Sequence, residues 1–286
     1  MFYKGLATTW LSSQVYIDRY VTSRGLDDNP RFGRLGNQLF QIAATIGVAY
    51  RNRCAYVFPS WKYSDYFQKN LAQSTWPVSL TQNYYEESFT YQTVNISGST
   101  NLAGYFQSEK YFSHCEDEIR KVFTLHPQIT QKIISRFGTL LRSKTCSMHV
   151  RRTDYLENSN FLDLTSTSYY EEAFRKFAGD TTFIVFSDDI AWCKRRFQDK
   201  RFIFIEGMNE IYDLFVMSHC QSHIIANSSF SWWGAWLNAN PDKIVIAPAR
   251  WFAGEFANRA ISFCPGPPHT GFHDTKDLLP ESWLRI

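Results

Sequence analysis

The 286-residue chain is 44% hydrophobic and 20% charged, a globular composition long enough for two medium lobes or one large α/β domain. Its net charge of +3 is small and its basic residues are dispersed, apart from Arg151-Arg152 and Lys194-Arg195-Arg196, which excludes a nucleic-acid track. No segment approaches the roughly 20 apolar residues that span a bilayer, and the first residues lack the apolar stretch of a signal peptide, so a soluble, cytoplasmic protein is expected.

Short apolar runs alternate with amphipathic stretches, without repeats or low-complexity tracts, the pattern of parallel α/β layering. In the first half, apolar positions at Leu39, Ile42, Ala43, Ile46 and Ala49 predict a helix over 38–51, followed by a strand over 55–58. Residues 60–100 read as loops and short strands, and helices are expected over 116–123 and 129–141. The second half is more regular. Strands are expected at 147–150, 182–186, 202–205, 222–226 and 244–247, with helices at 168–177, 191–197, 209–220 and 232–237 between them. Five strands with four crossovers make a nucleotide-binding type of sheet. A boundary near residues 142–144 divides the chain into a lobe of residues 1–142 and a lobe of residues 143–286.

Aromatic residues make up 17% of the chain, with nine Trp and sixteen Tyr, which suits a carbohydrate enzyme or a lectin because sugar C–H faces stack on rings. Six cysteines (Cys54, Cys115, Cys146, Cys193, Cys220 and Cys264) are widely spaced and lack a C-x-x-C pair. Four of them lie in apolar or amphipathic segments and read as small buried thiols, the alternative being a disulfide framework. His219 and His223 flank Cys220 at a spacing that suits a metal on a helix, but the expected helix ends between them, so no metal is expected there.

Four segments carry residues suited to chemistry. In Gly33-Arg34-Leu35-Gly36-Asn37-Gln38, two glycines let the backbone turn tightly and approach a ligand at a helix N-terminus, where Asn37 can hydrogen-bond it. The competing reading is an ordinary turn with Asn37 as helix cap. In Met148-His149-Val150-Arg151-Arg152-Thr153-Asp154-Tyr155, an apolar strand delivers two arginines and an aspartate to its carboxyl edge, where ligands bind in open α/β sheets. One guanidinium can chelate a diphosphate while the other is held by Asp154, or the group is a structural ion pair. In Phe186-Ser187-Asp188-Asp189 the polar groups either read a ribose or guanine edge or cap the following helix. In Ala226-Asn227-Ser228-Ser229-Phe230-Ser231-Trp232-Trp233, hydroxyls and an amide are offered at a helix start, with Phe230 free to stack on a base. Asn227-Ser228-Ser229 and Asn95-Ile96-Ser97 match glycosylation sequons; the first falls in a site and is set aside, the second is a surface candidate. There is no Asp-x-Asp, so a diphosphate leaving group would need cationic side chains and helix ends in place of a metal.

Taken in order, these segments resemble the α-1,2-fucosyltransferases, a family sharing motifs with protein O-fucosyltransferases and α-1,6-fucosyltransferases. The resemblance spans residues 33–252 and rests on Gly33 to Gln41, His149 to Tyr155 and Ile225 to Leu237, with weaker echoes at 186–189 and in Ala247-Pro248 with Trp251-Phe252. It implies an α/β fold of two Rossmann-like lobes (GT-B type), with the donor site mainly in the C-terminal lobe. It also implies GDP-fucose as donor, inversion at the anomeric carbon, no metal or other cofactor, and a glycan acceptor, namely O2 of a terminal galactose. Arg151 would bind the diphosphate, Asn37 would sit near the bond that breaks, and Asp154 is the nearest candidate base, though an orienting role toward Arg152 is preferred. Ser228, Ser229 and Phe230 would contact phosphate and base, His149 and Asp188 would place the nucleotide, and Gly36, Arg152, Ser187 and Asn227 complete the expected donor-binding set. Thr153 stands where many members have Gly, a polar stretch at 23–31 precedes the Gly loop, and residues 52–101, which should shape the acceptor site, match nothing. The rivals are a transferase of another GDP-sugar or linkage and a catalytically silent glycan-binding module.

Overall fold

Gly33 adopts φ +88°, a left-handed backbone suited to glycine, and the chain becomes helical two residues later. The resulting helix α1 (Leu35–Arg51) starts before the expected residue 38, so Asn37 lies in its first turn and does not cap it. The cap position is Arg34, whose side chain makes no cap bond. Every residue from Leu35 to Ala49 except Asn37 is buried, as a helix with apolar residues on most faces requires. At Gly47 an added Cβ would lie 2.1 Å from the Tyr111 carbonyl oxygen, so the helix meets backbone where no side chain fits.

The computed structural model describes residues 19–26, 33–69, 71, 80–253 and 275–286. The described residues divide into two compact units, the first up to His126 and the second from Pro127 onward. In the first unit β1 (Tyr20–Thr22), β2 (Ala55–Tyr56), β3 (Gln82–Tyr85) and β4 (Thr100–Ala103) form a parallel sheet in the order β2-β1-β4-β3. The helix α2 (Glu116–Val122) follows. Of the polar stretch at 23–31, Arg24–Leu26 form a 3-10 turn and residues 27–31 lie outside the described residues, as does Cys264.

In the second unit α3 (Pro127–Leu141) begins with proline in its first turn, where the missing N–H costs nothing. Because α3 contacts α7 (Glu210–Ser218), it belongs to this unit, and the chain divides ahead of the expected residue 142. The strands β5 (Thr145–Val150), β6 (Thr182–Ser187), β7 (Phe202–Phe204), β8 (Ser222–Ile224), β9 (Val245–Ala247) and β10 (Leu284–Arg285) form a second sheet, ordered β10-β9-β8-β5-β6-β7 with every pairing parallel. Five of these strands were expected; the edge strand β10 was not. The remaining helices are α4 (Thr153–Glu157), α5 (Tyr169–Phe174), α6 (Ile190–Arg196) and α8 (Ser229–Leu237). Asn209 caps α7 by accepting from the Ile211 and Tyr212 N–H groups. The three tryptophans of α8 are buried, Trp232 and Trp233 completely.

Cys54, Cys115, Cys146, Cys193 and Cys220 are free and buried. His223 is fully buried and both ring nitrogens are engaged, one with Ser147 Oγ at 2.7 Å and the other with the Asn238 amide at 2.7 Å, which makes it a packing residue. No helix among the described residues is long and apolar enough to cross a membrane.

Candidate active site

Strand β5 is buried along its whole length and sits between β6 and β8. The chain runs from β5 to β6 on one side and reaches β8 on the other only after β7, so the strand order reverses beside β5. In open parallel sheets, ligands bind at the carboxyl ends of the strands at such a reversal. The register pairs Val150 with Ser187 and thus brings the ends of β5 and β6 level. Arg151 leaves the sheet beside Asp188, and α8 starts just beyond β8.

The Arg151 guanidinium lies 2.6 Å from Asp154 and 3.3 Å from Asp188 and passes 5.5 Å from the Tyr155 ring centroid. Its side chain keeps 15% exposure, so the charge is nearly enclosed yet reachable. The expected pair of Asp154 with Arg152 is not what forms. The chain turns helical at Thr153, which puts Asp154 three residues along a helical turn from Arg151 and on the same side.

Arg152 points elsewhere. Its Nε donates to Asp189 at 3.2 Å, one terminal nitrogen donates to Thr165 Oγ1 at 2.7 Å, and the guanidinium lies 4.0 Å from the Trp192 ring centroid. Asp188 accepts from the backbone N–H groups of Arg152 and Thr153 and from the Thr153 hydroxyl, and so holds the start of α4. Burial pushes the Asp188 carboxyl up, but the Thr153 hydroxyl, the Arg151 charge and the Arg152 N–H outweigh it and leave the group below the usual carboxylate value. Asp189 caps α6 by accepting from the Trp192 N–H at 3.0 Å, while Ser187 Oγ accepts from the Asp189 N–H at 2.9 Å. The capping reading of this segment therefore holds for Asp189, whereas Asp188 faces Arg151.

His149 is buried, and its Nδ1 shares a 3.0 Å hydrogen bond with Ser231 Oγ. Burial, reinforced by the Arg151 charge and opposed by Asp188, pushes the imidazole down to about 3, so it is neutral at physiological pH. Its ring lies 5.6 Å from that of Phe230, which is half-buried. Ser228 Oγ accepts from the Phe230 N–H and caps α8, so the helix begins at Ser229, ahead of the expected residue 232. The hydroxyl-rich segment thus forms the cap and first turn of a nine-residue helix. Asn227 is 1% exposed and spends both amide protons on the carbonyls of Leu162 at 3.0 Å and Trp251 at 2.8 Å. It ties loops together beneath the site, and its enclosure agrees with setting aside its sequon. Asn95 is exposed.

Three contributors were not singled out from the sequence. Ser231 orients His149, Tyr155 donates to the Asn227 carbonyl at 2.9 Å and stacks on Phe161 at 4.1 Å, and Tyr170 donates to the His149 carbonyl at 3.0 Å. The signal for Ser231 was its place three residues after the helix cap; the tyrosines gave none beyond their apolar bodies.

In the first unit, the Gly33 turn and Asn37 fit each other closely. A Cβ on Gly33 would fall 2.2 Å from Asn37 Nδ2, so residue 33 has neither the space nor the backbone angle for a side chain. Asn37 Oδ1 accepts from the Gln107 amide at 2.9 Å, and Gln38 bridges the Gly33 carbonyl and the Trp61 indole N–H. Gly36 is buried in the first turn of α1.

The sequence matches the family model described as Glycosyl transferase family 11 over residues 10–266. The chain belongs to this family. It is 35% identical over 225 residues to an alpha-1,2-colitosyltransferase of Escherichia coli, covering 73% of this chain and 71% of the relative. It is 27% identical over 249 residues to galactoside 2-alpha-L-fucosyltransferase SEC1 of Bos taurus, covering 78% of this chain and 67% of the relative. The structure of POFUT1 in complex with GDP superposes with a TM-score of 0.51 at 13% identity, covering 81% of this chain and 97% of that one, a likeness of fold. The motif resemblance to α-1,2-fucosyltransferases is thereby borne out at the level of the family, as is the reading of the chain as a glycosyltransferase of mixed α/β fold with parallel sheets.

Proposed function

We propose that the protein is an inverting, metal-independent transferase of the GT-B type that moves L-fucose from GDP-fucose to O2 of a terminal galactose. The donor is held mainly by the second unit, and the first serves the acceptor. The observation that carries this reading is Arg151 at the carboxyl end of β5, where the strand order reverses, with His149 on the same strand and Phe230 at the start of α8. A nucleoside diphosphate finds there one cation for its phosphates, the N–H groups of a helix start, and a neutral imidazole beside an aromatic ring for the nucleoside. Asp188 and Asp154 steer the Arg151 guanidinium, and Arg152, clamped by Asp189, Thr165 and Trp192, fixes the turn between β5 and α4. Asn37 serves the transfer step, as the family resemblance implies. A reducing compartment such as the cytoplasm suits the five free cysteines.

The transfer is a single displacement. The acceptor O2 forms a bond to the fucose anomeric carbon from the face opposite GDP. As the bond from that carbon to the β-phosphate oxygen breaks, its electron pair leaves with GDP and the hydroxyl proton passes to solvent water. Arg151 stabilises the charge that grows on the departing diphosphate, an interaction stronger in the transition state than before it.

The colitosyltransferase relative supports a second reading in which the transferred sugar is colitose, the 3-deoxy form of fucose. Turnover of GDP-fucose, GDP-colitose and GDP-mannose with a β-galactoside acceptor separates the two. Preference for GDP-fucose supports the first reading, preference for GDP-colitose the second, and preference for GDP-mannose contradicts both.

A further inference from the structure

Glu86 follows β3 in the first unit and is 6% exposed, yet among the described residues its carboxylate bonds no cationic side chain. It accepts instead from the backbone N–H groups of Tyr105 at 2.7 Å and Phe106 at 2.9 Å, in the turn that follows β4. That turn is unusual. Phe106 adopts φ +52°, the left-handed region that a bulky residue enters only when its surroundings impose it. Gly104, just before it, has no room for a Cβ, which would fall 2.4 Å from Glu86 Cβ. The Phe106 ring is buried against Tyr84 and Tyr111, so packing and the carboxylate together hold the turn. The next residue is Gln107, 7% exposed, whose amide donates to Asn37 Oδ1. Two backbone N–H groups bonded to the carboxylate, one left-handed residue and one amide bond therefore link Glu86 to Asn37.

We propose that Glu86 is a positioning residue for the transfer reaction, fixing the 104–107 turn so that Gln107 holds the Asn37 amide in one orientation. This rests on the assignment of Asn37 to the transfer step. Asn37 and Gln107 each carry an amide that can present either its oxygen or its nitrogen. With the turn locked, Gln107 offers a donor to Asn37 Oδ1, which leaves the Asn37 Nδ2 group on the side of Gly33. Burial pushes the Glu86 carboxyl up to about 7 against the pull of the Phe106 and Tyr105 N–H groups, so its charge is present at the upper end of the neutral range. The titratable groups facing it are Tyr84 on β3 and Tyr111, both pushed further up by its charge and both neutral there.

A cycle of Glu86→Gln, Gln107→Ala and the double variant tests the link through kcat, GDP affinity and hydrogen exchange of the Gln107 side-chain amide. Each single variant is expected to lower kcat about tenfold to a hundredfold, as a misplaced reacting group does, with GDP affinity changed less than about twofold. The double variant is expected to be no slower than the slower single variant, because both act on the same amide. The Gln107 amide protons, protected in the wild type, are expected to exchange freely in Glu86→Gln. Wild-type kcat in Glu86→Gln, losses that multiply in the double variant, or a Gln107 amide that stays protected would overturn the proposal. If Glu86→Gln does not fold, Gln107→Ala decides through kcat, since it leaves Glu86 and the turn in place. A wild-type protein that turns over none of the GDP-sugars refutes the donor reading instead, and the amide exchange then decides the Glu86 link.

Discussion

Replacing Arg151 by alanine removes the guanidinium that pairs with Asp188 at the end of the second sheet. Its worth can be estimated from its own contacts. At the 3.3 Å separation at which it meets Asp188, a unit charge pair in a medium of effective dielectric about 20 interacts by about 5 kcal/mol. Part of that attraction already exists in the ground state of a bound diphosphate, and Asp154 competes for the same guanidinium at 2.6 Å. What remains for the transition state is about 3 kcal/mol, comparable to the loss of one donor from an oxyanion hole and equivalent to a rate loss of about 10²-fold. The assay is initial-rate GDP release from GDP-fucose with a saturating β-galactoside, alongside calorimetric GDP binding. Arg151→Ala should lower kcat by about two orders of magnitude and weaken GDP binding less, with a thermal transition close to wild type. A loss below about tenfold in kcat/KM would refute the assignment of Arg151 to the leaving group.

Gly33→Ala forces φ +88° on a residue with a Cβ and puts that Cβ 2.2 Å from Asn37 Nδ2, so a stability loss of about 2 kcal/mol is expected in denaturant unfolding, with a fall in kcat as Asn37 moves. Asn227→Ala strips the Leu162 and Trp251 carbonyls of their shared donor; about 2 kcal/mol of stability should be lost, and unchanged unfolding would show that the clamp contributes nothing. Glu86 supplies a pH dependence: its folded value of about 7 exceeds the ordinary carboxyl value of 4.5. The folded state therefore binds more protons than the unfolded state between those values, and stability is full below about pH 4.5 and falls as pH rises through about 7, by up to about 3 kcal/mol. Glu86→Gln should remove that slope from a series of urea melts, and an identical slope in the variant would place its origin elsewhere.

The second sheet was legible because its strands are continuous apolar runs punctuated by polar turns, the mark of strands covered on both faces. The short strands β1 and β10 carried no comparable signal; three and two residues are too few for a period to declare itself. The four motifs fall at strand ends and helix starts, but the partners within them differ from those expected. Asp154 was expected to orient Arg152, whereas the helical turn at Thr153 gives it to Arg151 and leaves Arg152 to Asp189, a residue beyond the end of another strand. The start of α8 was placed too late because Ser229, Phe230 and Ser231 read as loop by composition, while the Ser228 cap makes them the first turn. Glu86 was invisible for a different reason. Its role comes from a left-handed Phe106 distant in sequence, and nothing local to Glu86 marks it as buried.

The most direct measurement is GDP release from GDP-fucose by the purified protein in excess EDTA, with and without a terminal β-galactoside. The account predicts release stimulated by the galactoside, undiminished by EDTA, with fucose recovered on galactose O2 and the anomeric configuration inverted. Release abolished by EDTA and restored by a divalent cation would contradict the assignment of leaving-group stabilisation to Arg151 and the α8 start. Failure to bind GDP at all would contradict the donor site itself.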